Sequence, residues 1–415
     1  MSTAGIGVAV PQVTALETPS HTGASRAAWL AAGRYCAVVL VSVKAGLSLV
    51  GLLATGLLPR GTTVGVPGWP VTQPSAGWHF LFTAYERQDA LWYLRIASQG
   101  YRPDDNSAAF FPLYPVLVHG VGWLLGDRWL LSAYVVSGLA LLAGLMVLYR
   151  LTATELSETA ARRTVLYVCL FPTGFFLFAP YTEALFLALS VGCLYAARRR
   201  RWALAGLLAA AAALTRSQGV LLAAPLAVEA VLQLRTTGDP LRLRLVRASG
   251  ALAASGAAVA GLGAFLLFWD LRYGDWRRPF DVQKSGWGKV ASSPLHTLVR
   301  GYEEGTKYFG VYAGGYHTVD LILVALALAG GAWLTVRVRS SFAVYYWVSL
   351  TFPTFLLFDG RPLMSMPRFL SVLFPLAWAL AAFAERWKAH DAVVATSAVG
   401  LGILATLFVD WYPMF

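Results

Sequence analysis

Long apolar runs alternate with short arginine-bearing turns along almost the whole chain. The first run, from about Tyr35 to Leu58, is long enough to cross a bilayer. Ten further runs follow at 129–149, 164–179, 181–197, 202–215, 218–234, 248–269, 318–336, 342–358, 367–384 and 391–410. Several fall short of the roughly 20 residues of a standard crossing, which predicts tilted or broken helices. The pattern predicts an all-α polytopic membrane protein with about 11 transmembrane helices.

The basic residues orient those runs. Arg150 with Arg162 and Arg163, the run Arg198 to Arg201, Arg235 with Arg242, Arg244 and Arg247, Arg337 with Arg339, and Arg386 with Lys388 mark five turns. Placing all five in the cytoplasm satisfies the positive-inside rule. The apolar run 110–126 then cannot be a full crossing without reversing every later cluster, so it is expected to lie at, or dip in from, the outer surface. Residues 1–34 are small, polar and proline-punctuated and are expected to form a disordered cytoplasmic tail. Residues 35–415 are expected to form one transmembrane domain. Its first external loop, 59–128, carries amphipathic juxtamembrane helices, and a second external loop covers 270–317.

Composition adds little to this picture but removes alternatives. The 415 residues are 57% hydrophobic and only 13% charged, too apolar for a soluble globular chain. The net charge of +12 sits in the short clusters between apolar runs, as membrane orientation requires, so nucleic acid is not expected as a partner. Cys36, Cys169 and Cys193 all fall within predicted spans, and the six histidines show no metal-ligand spacing. No metal site and no cofactor is expected, and no phosphate-binding glycine loop is present.

Candidate chemistry concentrates on the expected outer face. The stretch 87–115 (RQDALWYLRIASQGYRPDDNSAAFFPLYP) crowds Arg87, Asp89, Arg95, Asp104 and Asp105 among Trp92, Tyr93, Tyr101 and Tyr114. Asp89, Trp92, Tyr93 and Ile96 share one face of a short helix, where a carboxylate beside aromatic rings suits a sugar or phosphosugar. An interfacial helix with anchoring aromatics and a solvated Asp89 is the plainer alternative. Glu183, at the outer start of a span, Arg216, where two short helices meet, and Arg368, opening the tenth run, converge on the same face. A helix-dipole acid and snorkelling arginines are the plainer readings of these three.

These residues resemble a family. RQDALWYLRIASQGY followed by AFFPLYP is similar to the first-loop signature, usually Arg-Trp-Asp-x-x-x-Tyr, of the GPI mannosyltransferase 2 (PIG-V-like) family. FAPYTEALFLALS, LTRSQG, GDWRRPFDVQKSGW and MSMPRFLSVLFPLAWAL fall in the family's order and spacing, so the resemblance runs from about Arg87 to Ala382. It implies a GT-C-type fold and a membrane glycosyltransferase working on the non-cytoplasmic side. The implied donor is polyprenyl-phosphate mannose, with Asp89 as the catalytic acid position. Arg87, Trp92, Tyr93, Asp104, Asp105, Tyr114, Glu183, Arg216, Gln283, Trp287 and Arg368 are the matching candidates for substrate binding. Gln88 stands where the family usually has Trp, which bears on how the sugar stacks. The Ala-, Arg- and Gly-rich usage suggests a bacterial plasma membrane with the active site on its outer face. The acceptor is then a glycan, lipid or protein other than a GPI anchor.

The chemistry agrees independently of the resemblance. Polyprenyl phosphate is a good leaving group, so transfer needs one base for the acceptor hydroxyl and cations for the departing phosphate, a part expected of Arg216 and Arg368 at the outer ends of spans. Two rival readings are a transporter or flippase of a lipid-linked substrate and a non-catalytic scaffold of an envelope-assembly complex. The two halves of the chain show no internal repeat of the kind many transporters carry. Gln88 is the residue that favours the scaffold.

Overall fold

The computed structural model describes residues 26–70, 77–235, 240–311, 315–358 and 360–412. The described residues form a bundle of α-helices with one small two-stranded ribbon. The helix α1 (Arg26–Leu57) begins well before Tyr35, because the alanines after Arg26 continue the helical run; residues 1–25 of the expected tail lie outside the described residues. Three short helices follow in the first loop: α2 (Phe80–Thr83), α3 (Asp89–Gln99) and α4 (Leu113–Leu124). At 1.5 Å per residue, α4 is roughly 18 Å long, too short to cross the roughly 30 Å apolar core.

The next stretch alternates long and broken elements. It comprises α5 (Trp129–Glu155), α6 (Glu158–Leu170), α7 (Phe175–Phe178), α8 (Glu183–Arg198), α9 (Trp202–Ala213), α10 (Ala223–Arg235) and α11 (Leu241–Tyr273). Ser157 caps α6 by accepting from the Ala160 N–H, and Gly274, at φ 73°, closes α11 in the left-handed region. Pro172 and Gly174 interrupt the predicted run 164–179, and Pro180 precedes α8. A 3-10 turn, Ser217–Leu222, joins α9 to α10.

The long connection after α11 folds into α12 (Arg278–Ser285), strand β1 (Lys289–Ala291) and α13 (Pro294–Lys307). After α14 (Gly315–Thr335) and α15 (Ser340–Thr351), strand β2 (Leu356–Phe358) pairs antiparallel with β1, setting Lys289 opposite Phe358. The chain ends with α16 (Met366–Leu370), α17 (Pro375–Arg386) and α18 (His390–Val409). Among the described residues, six helical stretches are long and apolar enough to cross a membrane: 26–57, 129–155, 217–235, 246–273, 315–335 and 390–409. The remaining predicted crossings are shorter or divided pieces. The protein is a multi-pass integral membrane protein.

Charge sorts to the two ends of the bundle. At one end Glu229, 1% exposed, accepts from Arg198 (3.2 Å), Arg339 (2.8 Å), Ser341 (2.7 Å) and Gln233 (2.7 Å). Arg198 also holds Glu155 through two hydrogen bonds of 2.6 and 3.2 Å, and Arg163 pairs with Glu385. These contacts draw on residues from four of the five basic turns. Because α8 runs from Glu183 to Arg198, its other end carries the second charged group.

Candidate active site

Asp89 opens α3 from a strained turn. Gln88 sits at φ 49°, ψ −117°, a conformation that side chains rarely adopt, and the chain turns there into the helix. The Asp89 carboxylate accepts from Arg368, whose guanidinium also pairs with Glu183. Glu183, fully buried at the first turn of α8, accepts in turn from Arg216. Arg216 donates to the Thr182 hydroxyl at 3.2 Å as well, and Thr182 and Tyr93 share a 3.3 Å hydrogen bond. Residues far apart in sequence therefore form one chain of alternating charge, Asp89–Arg368–Glu183–Arg216. Two carboxylates offset two guanidiniums, as a low-dielectric site requires.

Local sequence explains the placement of each member. Pro180 and Thr182 start α8 so that Glu183 lies at its N-terminus, where a carboxylate also meets the positive end of the helix dipole. Arg216 sits in extended backbone in the break between α9 and α10. The break needs Gly219: a Cβ there would come within 2.1 Å of the Ala213 backbone nitrogen. Arg368 lies on α16, a single turn entered through Ser365 at φ 69°. Its guanidinium is stacked over Phe176 (5.1 Å) and Tyr181 (4.9 Å).

A cavity of about 260 Å³ opens onto this charge chain. Asp89, Tyr93, Arg216, Gln283, Lys289 and Arg368 form its polar side. Leu262 and Leu266 of α11, with Phe352, Leu356, Phe358 and Phe369, are among its apolar lining, and Trp287 and Phe110 line it as well. Tyr93 meets Phe110 and Tyr114 edge-on, and burial pushes its phenol up to about 12, so it remains a hydrogen-bond donor.

Six of the residues singled out in the sequence thus meet here: Asp89, Tyr93, Arg216, Gln283, Trp287 and Arg368 line the cavity. Glu183 lies behind them as their buried counter-charge. The other five lie off the cavity. Arg87 is fully buried and donates to the carbonyls of Thr83 (2.9 Å), Glu86 (2.9 Å) and Val409 (3.0 Å), stitching the end of α18 to the first loop. Trp92 stacks on Phe110, with ring centroids 5.4 Å apart. Asp105 pairs with the buried Arg95 and caps the turn at Ser107, while Asp104 is exposed. The Asp105 carbonyl accepts from Arg278 at 3.2 Å, which fastens α12, the bearer of Gln283, to the first loop. Tyr114 is buried on α4, 2.8 Å from the Ser137 hydroxyl.

Lys289 escaped the sequence reading. Nothing in GWGK marks it, since only the pairing of β1 with β2, 67 positions away at Leu356, turns it into the cavity. Its ammonium donates to Gln283 at 2.9 Å and lies 5.2 Å from the Phe358 ring centroid. Burial lowers it from 10.5 to about 8, with Asp89 opposing that shift and Arg368 and Arg216 adding to it.

Comparison with known proteins bears on the same stretch. The chain is 38% identical over 95 residues to GPI mannosyltransferase 2 of Yarrowia lipolytica, a match covering 23% of this chain and 27% of that protein. The chain thus spans about a quarter of that curated relative's length. Among solved structures it is similar to ArnT from Cupriavidus metallidurans bound to undecaprenyl phosphate, with 14% identity, 91% of this chain and 76% of that one covered, and a TM-score of 0.47. It is also similar to the Archaeoglobus fulgidus oligosaccharyltransferase, with 14% identity, 90% and 53% coverage, and a TM-score of 0.41. Residues 74–234 match the family Mannosyltransferase (PIG-V). Asp89, Tyr93, Glu183 and Arg216 all lie inside that match, which covers 161 of the 415 residues.

Proposed function

We propose that this protein is an inverting glycosyltransferase of GT-C type. It moves a sugar, mannose in the first instance, from a polyprenyl-phosphate carrier to an acceptor hydroxyl on the non-cytoplasmic face of its membrane. The single observation that carries the reading is Asp89 at a cavity whose polar side is cationic and whose other side is apolar. A phosphosugar with a long hydrocarbon tail presents the matching sequence of groups.

In the reaction, the acceptor oxygen bonds to the sugar's anomeric carbon as the bond from that carbon to the phosphate oxygen breaks. The electron pair leaves with the polyprenyl phosphate, and the acceptor's proton passes to the Asp89 carboxylate. Arg368 orients Asp89 by direct pairing, and Glu183 holds Arg368 and Arg216 in place from behind. Tyr93, Gln283 and Trp287 supply the hydrogen bonds and ring surface that a sugar uses. Arg87, Asp105 and Tyr114 support the loop rather than touching the sugar. A bacterial plasma membrane remains the setting favoured by composition, and the acceptor is a glycan, lipid or protein.

The test is transfer from synthetic polyprenyl-phosphate mannose, glucose and arabinose to a membrane acceptor pool by purified protein in lipid nanodiscs. Mannose transfer with inversion is expected. Vesicle uptake of the intact donor with no transfer to any acceptor would mean a transporter instead.

A further inference from the structure

The charge chain at the cavity leaves one cation over. Arg368 is paired with Asp89 and Glu183, and Arg216 with Glu183. Among the described residues Lys289 has no carboxylate partner; its ammonium meets the Gln283 side-chain oxygen and the Phe358 ring. Like Arg216, whose guanidinium lies 5.3 Å from the Phe369 ring centroid, it meets both the polar and the aromatic lining of the cavity. Phe358 and Leu356 share one face of β2 and belong to the apolar wall, while Asp89, Arg216 and Arg368 act on Lys289 electrostatically from the polar side. A lipid phosphate has its anionic oxygens at that same junction between sugar and hydrocarbon.

Resting on the glycosyl-transfer reading above, the geometry points to Lys289 as the residue that holds the phosphate of the prenyl-linked donor and receives the charge it gains on departure. The two arginines then set the site's shape and orient the base, and the ammonium supplies the net positive charge. The phosphate begins with one negative charge as a diester and ends with a second as the glycosidic bond breaks. An ammonium beside it therefore stabilises the departing state more than the ground state, which is the condition for accelerating the step. The β1–β2 ribbon gives this lysine its position, so donor binding is coupled to the pairing of the two segments it joins.

The titration supports the assignment without carrying it. Burial brings the empty-site ammonium down to about 8, and a bound phosphate restores it as an opposite charge. The groups that face it are Asp89 of α3, Arg216 of the α9–α10 break, Arg368 of α16 and the neutral Gln283 of α12. As pH rises through about 8, the unliganded lysine loses its proton and the prenyl phosphate loses its partner.

The experiment measures binding of a synthetic polyprenyl phosphate to the full chain in nanodiscs, for the native protein and for Lys289→Met, Lys289→Arg and Asp89→Asn. Thermal unfolding of each is followed in parallel. Lys289→Met is expected to fold and to be no less stable, since it removes a half-buried charge while keeping length. It should bind polyprenyl phosphate roughly 10- to 100-fold more weakly, the worth of a charge-assisted bond. Lys289→Arg should bind nearly as the native protein and lose the decline above about pH 8. Asp89→Asn should not show the loss that Lys289→Met shows, because it takes a negative charge away from the anion's site. The matching polyprenol and inorganic phosphate serve as the two controls. Weak binding of both supports a lipid-phosphate site, and inorganic phosphate competing as well as the lipid would overturn it in favour of a free-anion site. Native-like binding by Lys289→Met would overturn the role of Lys289 alone. Failure of the native protein to bind polyprenyl phosphate or to transfer sugar would overturn the transferase reading itself.

Discussion

Asp89 and Glu183 are both carboxylates paired with Arg368, yet their surroundings assign them different work. The Asp89 side chain is 27% exposed and lines the cavity; that of Glu183 is fully buried and does not. An acceptor hydroxyl can reach the first and not the second. Asp89→Asn should therefore fold, bind lipid donor, and lose at least about 100-fold in kcat, the lower range for acid–base catalysis. Glu183→Gln should act otherwise, because it leaves two guanidiniums facing each other without their shared counter-charge. It is expected to cost about 3–5 kcal/mol of stability and to weaken donor binding along with turnover. Unfolding curves and a kcat/KM split on the two variants decide between these roles. Normal turnover in Asp89→Asn beside a well-folded but dead Glu183→Gln would pass the base to Glu183.

At the scale of elements, the site depends on helices that stop early. Arg216 is available because α9 ends at Ala213 and a 3-10 turn intervenes before α10. Gly219 permits that turn to pack against the Ala212–Ala213 backbone. Gly219→Ala should force the turn away, costing about 1–3 kcal/mol as overpacking does, and should displace Arg216. Reduced thermal stability together with reduced donor affinity is the expected pair of readings. The turn into α3 behaves in the opposite sense. Gln88 occupies a conformation suited to glycine, so Gln88→Gly should raise stability by about 1 kcal/mol, whereas Gln88→Ala should not. Thermal unfolding of the two variants checks it. Residue 88 also marks the departure from the family's usual Trp, and the structure shows backbone geometry as one demand at that position.

For the whole molecule, the two charged ends define an orientation. The Glu229 network joins the arginine-bearing turns at one end, and the Asp89 chain closes the other. With the basic end in the cytoplasm, a cysteine placed at the exposed Asp104 should react with an impermeant thiol reagent in intact cells, and one at the exposed Arg201 should not. Cys36, Cys169 and Cys193 are buried and give a quiet background. The reversed labelling pattern would overturn the orientation and the external donor with it. Glu229→Gln should lower the unfolding temperature as Glu183→Gln does, since it too strips buried cations of their partner. It should leave donor affinity unchanged, because the whole length of α8 separates it from the cavity.

The apolar runs, the basic turns and the short span lengths were legible in the sequence because each is a local property. Hydrophobic length decides what can cross a bilayer, and arginine placement decides where it turns. Asp89, Tyr93 and the helix α3 were legible for the same reason, through spacing on one helical face. So was the candidacy of Glu183, Arg216 and Arg368, since ionisable groups at span ends are rare and costly. What the tertiary structure alone decided is partnership. The pairing of Asp89 with Arg368 spans 279 residues, and nothing local distinguishes it from a pairing with Arg87 two residues away. Arg87 instead donates to the Val409 carbonyl at the end of α18, where the last carbonyls of a helix have no intrahelical donor. Lys289 was hidden for a related reason: a three-residue strand has too little periodicity to be read, and its direction is set by hydrogen bonds to a strand in another loop. Local physics placed the charges at one end of the bundle, and long-range packing determined which of them neutralise one another and which, among the described residues, has no carboxylate partner.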